Sequence, residues 1–189
     1  MPYRKFEFAA NQYYHLFNRG NNHAIIFCEA ENYRYFLRLL GKYLLPDQVE
    51  IVAYCLMPDH YHLLVCPRVD TLSKLMQPFL LAYTHAFNER YGRMGALFQG
   101  RCKAHYVNKN EYLLQLSRYI HLNPVRAGLV KQAENWEFSS YLDYLGIRTG
   151  SILNPKIVLD QFQSPQDYRN FMEEEMEIQE PGLSELLFE

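Results

Sequence analysis

The chain is poor in cysteine and has no long apolar run, and both absences narrow the classes of protein it can belong to. Its four cysteines form no C-x-x-C pair, so neither a disulfide framework nor a zinc site of paired cysteines is indicated: Cys28, Cys55, Cys66 and Cys102. A reducing cytoplasm is the expected location. No stretch approaches the ~18 apolar residues of a membrane span, and the first residues lack the apolar core of a secretion signal.

Positive charge is missing from the last part of the chain. No lysine or arginine follows Arg169, whereas residues 173–189 contain seven glutamates. The body, residues 1–169, carries 19 basic and 14 acidic residues, although the whole chain has a net charge of −2. A basic body with an acidic tail is a pattern of proteins that interact with polyanions. The alternative is a tail that forms a solvated terminal helix.

The composition is that of a folded domain with an excess of tyrosine. Apolar residues make up 49% of 189 residues, and there are 16 tyrosines against one tryptophan. A chain of this length can bury a substantial core. Tyrosine can fill a core, stack on bases or act as a nucleophile, and composition does not choose among these roles. We predict a domain at 1–150 and an extension at 151–189 that ends in the acidic tail.

Apolar periodicity predicts alternating strands and helices. Strands are expected at 12–18, 49–57, 60–66 and 97–107, and helices at 31–45, 71–91 and 110–123, the last one ended by Pro124. The short link Pro58-Asp59 predicts an antiparallel hairpin. The order indicates an α+β fold, namely a ferredoxin-like split βαβ sheet with helices on one face, an open opposite face and one extra helix.

Two histidines flank a tyrosine in the strand predicted at 60–66. Side chains two residues apart on a strand share a face, so His60 and His62 present adjacent imidazoles, which is half of a metal site. Tyr61 is expected to point into the core on the other face. The same pattern is typical of two polar surface histidines, so it does not decide by itself.

A tyrosine and an asparagine lie four residues apart in the last predicted helix. Tyr119 and Asn123 therefore share one helix face. The amide oxygen of Asn123 can complete a three-ligand set with the two histidines and leave positions for a phosphate oxygen and water. Phenols ionise near pH ~10, so a tyrosine nucleophile needs such a metal ion or a base beside it. The alternative is that Tyr119 packs in a helix interface.

A basic stretch interleaved with aromatic side chains precedes this helix. No acidic residue occurs between Glu89 and Glu111, and the stretch contains five cations, namely Arg90, Arg93, Arg101, Lys103 and Lys109. Basic groups follow phosphates and aromatic rings accept unpaired bases. Phe98, His105 and Tyr106 supply such rings. A solvated strand edge protected by lysine explains the pattern equally well.

Four segments together resemble a known family. YYHLFNRGNNHAIIF (13–27), YCLMPDHYHLLV (54–65), LFQGRCKAHYV (97–107) and YLLQLSRYIHLNPVRAGLV (112–130) are similar, in this order, to the HUH single-tyrosine transposases of small insertion sequences. The similarity is greatest to the branch of REP-associated tyrosine transposases, and it extends from about residue 13 to about residue 145.

The resemblance implies a role for each matching residue. His60 and His62 correspond to the metal-binding pair, Asn123 to the third ligand and Tyr119 to the nucleophile, with Mg²⁺ or Mn²⁺ as the metal. Such enzymes cut single-stranded DNA near hairpins by transesterification, which forms a 5′-phosphotyrosine and frees a 3′-hydroxyl. The matching segments also supply four candidates for DNA contact: Arg19, Arg101, Lys103 and His105.

Other functions and assemblies stay open from the sequence. A non-catalytic regulatory protein that binds hairpin DNA or RNA is the main alternative, because the same scaffold serves RNA recognition. A metal-dependent hydrolase that uses water as the nucleophile is another. Whether the site is built within one chain or across a homodimer is not decided by the sequence.

Overall fold

A computed structural model describes residues 7–108, 110–150 and 152–174 of the chain. The strands are β1 (Tyr13–Arg19), β2 (Val49–Met57), β3 (His60–Pro67) and β4 (Lys103–Val107). The helices are α1 (Ala30–Tyr43), α2 (Leu72–Arg90), α3 (Asn110–Arg126), α4 (Tyr141–Tyr144), α5 (Lys156–Leu159) and α6 (Pro165–Glu173). The acidic tail beyond residue 174 and Lys109 lie outside the described residues.

The four strands form one antiparallel sheet in the order β2-β3-β1-β4. This is the order of a split βαβ fold, in which two β-α-β units interleave. The predicted α+β ferredoxin-like class is confirmed. β2 and β3 form the predicted hairpin, in which Met57 pairs with His60 across Pro58 and Asp59.

The two faces of the sheet bury two separate apolar clusters, because side chains alternate along each strand. On β3, Tyr61 and Leu63 belong to the cluster beneath α1 and α2, whereas Leu64 belongs to the cluster beneath α3. The prediction of an open second face is wrong over β2 and β3, which α3 contacts. The reason is that α3 has its own apolar stripe, and Leu116 and Ile120 are fully buried on this face.

The last long helix continues past the proline that was predicted to end it. α3 runs through Pro124 to Arg126, and Gly128, with φ of 69°, follows it. A proline near the end of a helix removes one amide hydrogen bond, and the amide of Ala127 still donates to the Asn123 carbonyl at 2.9 Å. Asn123 therefore stays on the same helix as Tyr119.

The predicted fourth strand begins later than its sequence suggests. Only residues 103–107 pair with β1 as a strand. Residues 97–102 form a loop that contacts the end of β1 through the bridge Gly20–Phe98 and through the Gln99 amide, which donates to the Arg19 carbonyl at 2.8 Å. Gly100 in this loop has a φ of 79°, a left-handed conformation that breaks a strand. The prediction of a strand over 97–102 is wrong for this reason.

The segment after α3 covers the free edge of β2 and packs against α3. The Leu56 amide donates to the Phe138 carbonyl and the Asn154 amide to the Ile51 carbonyl, so this segment runs along the free edge of β2. Tyr168 of α6 is fully buried, and Met172 is nearly so, in the cluster beneath α3. The boundary at residue 150 stays a prediction, but residues on both sides of it share this cluster.

A chain of buried hydrogen bonds links α6 to β2 through α3. The Tyr168 hydroxyl lies 2.8 Å from His121 Nδ1, and His121 Nε2 lies 2.8 Å from Ser140 Oγ. Ser140 Oγ accepts from the Tyr54 amide at 2.9 Å and contacts the Tyr54 carbonyl at 3.2 Å. The helix with Tyr119 and Asn123 is thus anchored on its buried side. Among the described residues, no helix combines the length and apolarity needed to cross a membrane.

Candidate active site

The paired histidines lie at the start of β3 and project from the face that α3 covers. Their ring centroids are 5.0 Å apart, and Tyr61 between them is buried on the opposite face, against Phe36 of α1. The alternation expected of a strand is therefore observed. His62 is fully buried, whereas His60 is partly exposed at the edge of the site.

α3 brings the predicted tyrosine and asparagine against these histidines. The Tyr119 ring lies 5.5 Å from the His62 ring and nearly perpendicular to it. One turn later, Asn123 Oδ1 lies 3.4 Å from His60 Nε2. The structure thus collects all four residues into one cluster within a single chain. Their chemical roles remain predictions.

His62 is held by a residue that the sequence did not point out. His15 Nε2 lies 2.9 Å from His62 Nδ1, and both side chains are completely buried. Burial, together with the repulsion that a charged His62 ring would meet from His15, His60 and Arg19, holds the pKa of His62 well below its usual value. His62 is therefore neutral at physiological pH, as a metal-binding imidazole must be.

His60 is held by a carboxylate. Asp59 Oδ1 lies 2.6 Å from His60 Nδ1, and Asp59 Oδ2 lies 3.8 Å from Arg19 Nε. The hydrogen bond to His60 is the main cause that lowers the pKa of Asp59, with the charges of His60 and Arg19 adding to it. Asp59 therefore orients His60 from the hairpin turn. Arg19, a candidate for DNA contact, lies beside this pair.

A cation lies beside the tyrosine. The guanidinium carbon of Arg126 is 5.5 Å from the centroid of the Tyr119 ring, and Arg126 is exposed while Tyr119 retains only 6% exposure. Arg126 follows Tyr119 by seven residues, which places both on one side of α3. A positive charge here favours a phosphate group at the same place.

Two of the candidates for DNA contact extend this face across β1 to β4. The His105 ring stacks on Phe17 at 5.2 Å, and Lys103 Nζ lies 5.9 Å from the centroid of the same ring. His105 also lies 6.4 Å from His15, so it adjoins the histidine cluster. Arg101 is exposed in the loop before β4.

The side chains present fit a divalent cation. When a neutral His60 donates its Nδ1–H to the Asp59 carboxylate, the lone pair of His60 Nε2 faces Asn123 Oδ1, another acceptor, at 3.4 Å. Ligands about 2.1 Å from one ion lie roughly 3 to 3.4 Å apart, so a cation can satisfy both atoms. The Asn123 amide nitrogen is buried without a hydrogen-bond partner among the described residues.

The donor set is two imidazoles and one amide oxygen rather than a cluster of charged ligands. Within the described part of the chain, no group of three His, Cys, Asp or Glu side chains can hold a metal ion. Two nitrogen donors and one oxygen donor favour Mn²⁺ over Mg²⁺ on physical grounds. A site with three protein ligands leaves positions for a substrate oxygen and water.

Comparison with known proteins assigns the family. The family described as transposase IS200 like matches residues 8–123, more than half of the chain, and this range includes both histidines, Tyr119 and Asn123. The chain belongs to the IS200-like transposase family. The predicted transposase family is thereby confirmed.

Individual relatives of the chain include proteins named as REP-associated tyrosine transposases. A Haemophilus influenzae protein named as a REP-associated tyrosine transposase is 30% identical over 104 residues, which are 49% of this chain and 58% of that protein. The chain thus matches little more than half the length of that relative. A solved REP-associated tyrosine transposase, bound to a REP hairpin, has a TM-score of 0.64 at 21% identity and covers 82% of this chain and 97% of its own. A solved Deinococcus radiodurans protein described as a transposase gives a TM-score of 0.42 at 18% identity, with 64% of this chain and 95% of its own covered.

Sequence reasoning about this IS200-like transposase missed His15 and Arg126. His15 lies diagonally from His62 only because Phe17 pairs with His62 across the sheet, and that register is not visible in the sequence. Alternation on β1 places His15 on the face of Phe17, but the sequence does not show which face α3 covers. Arg126 lies beyond Pro124, where the helix was expected to have ended.

Proposed function

We propose that this IS200-like transposase is a metal-dependent single-stranded DNA endonuclease and strand transferase, with Tyr119 as its nucleophile. The observation that carries the proposal is the position of the Tyr119 ring, 5.5 Å from His62, on the helix that also brings Asn123 to His60. A phenol beside two imidazoles and an amide oxygen is an arrangement for attack on a phosphodiester, not for RNA stacking on an open sheet.

The proposed reaction is a transesterification, in which one phosphodiester bond is exchanged for another. The Tyr119 oxygen loses its proton and forms a bond to phosphorus, while the bond from phosphorus to the 3′-oxygen breaks. That 3′-oxygen takes up a proton and becomes a free hydroxyl, and the phosphate stays on Tyr119 as a 5′-phosphotyrosine. One phosphoester replaces another, so the reverse reaction rejoins DNA without an external energy source.

The metal ion and the side chains have different roles in the proposed reaction. Mg²⁺ or Mn²⁺, held by His60, His62 and Asn123, would polarise a non-bridging phosphate oxygen, an effect worth several kcal/mol. Arg126 is placed to neutralise charge at the phenol and at the phosphate. Burial of His62 and Tyr119 limits access of water to the reacting atoms, which favours transfer over hydrolysis.

The substrate is proposed to be DNA with a hairpin next to an unpaired strand. The similar solved transposase is bound to a REP hairpin, and Lys103 and His105 continue the active-site face here. Lysine binds phosphates, and an imidazole stacked on Phe17 belongs to a ring surface suited to an unpaired base. Arg19 and Arg101 are proposed to add phosphate contacts.

The four residues meet within one chain, so we propose that a monomer is competent. The test mixes Tyr119→Phe with His62→Ala, each inactive alone. A site built within one chain predicts that the mixture stays inactive. Recovery of cleavage would show that a homodimer exchanges α3 between subunits.

The main test of the function is cleavage of labelled single-stranded hairpins with Mg²⁺ or Mn²⁺, resolved on a denaturing gel. We expect a metal-dependent covalent protein–DNA band that disappears in Tyr119→Phe. Cleavage that survives in Tyr119→Phe would indicate water as the nucleophile. Binding without cleavage by the unmodified protein would indicate the regulatory alternative.

A further inference from the structure

The buried contact between His15 and His62 allows two arrangements of one proton. Either His62 Nδ1 donates to His15 Nε2, or His15 Nε2 donates to His62 Nδ1, across the 2.9 Å between them. In the second arrangement a neutral His62 carries its proton on Nε2, and neither of its nitrogens can bind a cation. In the first arrangement Nε2 keeps its lone pair.

His60, the other histidine of the pair, also makes a hydrogen bond through Nδ1, but its partner is a carboxylate. His60 Nδ1 is held at 2.6 Å by Asp59, which as a carboxylate accepts only. His60 therefore keeps its Nδ1 proton and offers Nε2 toward Asn123. For His62 to serve the same cation, it must also offer Nε2, and its Nδ1 proton needs an acceptor. His15 Nε2 is the atom at the required position.

Solvent cannot substitute for this acceptor. His15 and His62 are both 0% exposed, and Phe17 packs beside both rings at 4.9 and 6.3 Å. A buried N–H without an acceptor is destabilising. A hydrogen bond from His62 Nδ1 to His15 Nε2 would therefore hold the His62 ring in one orientation and one tautomer.

We propose that His15 is a positioning residue that accepts a hydrogen bond from His62 Nδ1 and so fixes the tautomer in which His62 Nε2 carries the lone pair that binds the metal ion. The inference rests on the proposed function for the metal, but the tautomer itself is a property of the metal-free protein. Groups that orient metal-binding histidines typically change metal affinity about 10- to 100-fold when removed.

The test reads the tautomer directly, by nitrogen-15 NMR of the histidine side chains in metal-free protein. The expected result is a proton on Nδ1 of His62 in the unmodified chain and a shift toward Nε2 in His15→Phe. His15→Gln, whose amide oxygen can accept, is expected to restore the Nδ1 proton. A proton on Nε2 of His62 in the unmodified metal-free protein overturns the proposal.

The second arm measures Mn²⁺ binding by calorimetry. His15→Phe should weaken Mn²⁺ binding about 10- to 100-fold, and His15→Gln should recover most of that loss. Unchanged affinity in His15→Phe would also overturn the proposal. If His15→Phe does not fold, the unmodified chain and His15→Gln still decide the tautomer.

His121→Gln is the matched control, because His121 is equally buried but bonds to Tyr168 and Ser140. It should leave the His62 tautomer unchanged. A change there would mean that loss of any buried imidazole disturbs His62, and this would overturn a specific role for His15. No Mn²⁺ binding by the unmodified chain would refute the metal part of the proposed function, while the NMR result would still decide the role of His15.

Discussion

Removal of one hydroxyl group, in Tyr168→Phe, tests whether α6 anchors the helix that carries Tyr119. The substitution keeps the ring and its packing but deletes the oxygen that lies 2.8 Å from His121 Nδ1. Because Tyr168 and His121 are both fully buried, water cannot take the place of the lost group.

The donor of each hydrogen bond in this network can be assigned by starting from Ser140, at the end that contacts β2. Ser140 Oγ accepts the Tyr54 amide and is 3.2 Å from the Tyr54 carbonyl, so its own proton goes to that carbonyl. His121 Nε2 must then donate to Ser140, and His121 Nδ1 accepts from Tyr168. Tyr168→Phe therefore leaves a buried acceptor without a donor, which should lower the free energy of unfolding by about 1–3 kcal/mol.

The assay is urea denaturation followed by circular dichroism. Tyr141→Phe is the control, because Tyr141 is also buried and its hydroxyl has no hydrogen-bond partner among the described residues. Its deletion should change the stability by about 0.5 kcal/mol or less. If the two substitutions lowered the free energy of unfolding equally, the hydrogen-bond network would not be what anchors α3.

Three further predictions concern groups around the site. Burial lowers the pKa of His121 to about 3. Between pH 6.5 and pH 3 this histidine is therefore protonated in the unfolded chain but not in the folded one, so the free energy of unfolding falls as the pH falls. The loss is about 2 kcal/mol by pH 5. Urea denaturation at pH 7 and pH 5 should show that the stability difference between the unmodified chain and His121→Gln shrinks by this amount, and a constant difference would contradict it. Asp59→Asn should weaken Mn²⁺ binding at least about tenfold, measured by calorimetry, because a neutral amide holds His60 Nδ1 less firmly. Unchanged affinity would show that Asp59 does not support metal binding. Arg126→Ala should slow single-turnover cleavage roughly tenfold or more, with Arg126→Lys in between, and an unchanged rate would exclude a role for its charge.

The fold was predictable because local pattern and tertiary structure agree in most elements. The strand at 49–57 and the hairpin that follows it are visible from apolar runs and the Pro58-Asp59 turn. The errors arise where the two disagree. Pro124 favours a helix end locally, but Leu116 and Ile120 are buried beneath α3, and the helix continues to Arg126, three residues past its predicted end, before the turn at Gly128.

The candidate site was predictable only for residues that lie close together in sequence. His60 and His62 share one strand, and Tyr119 and Asn123 share one helix, so each pair could be placed from spacing alone. Spacing alone left the contact between the two pairs open, the family resemblance favoured it, and the structure now shows it. His15 depends on the register of β1 against β3, and Arg126 on the true end of α3, and neither is encoded in a short motif.

The central claim is that the Tyr119 oxygen becomes bonded to DNA. The most direct measurement is isolation of the covalent product formed with Mn²⁺ and a single-stranded hairpin, followed by protease digestion and mass spectrometry of the peptide that carries the nucleotide. We expect a phosphodiester-linked nucleotide on Tyr119. A nucleotide on any other of the chain's tyrosines, or cleaved DNA with no linked peptide, would contradict it.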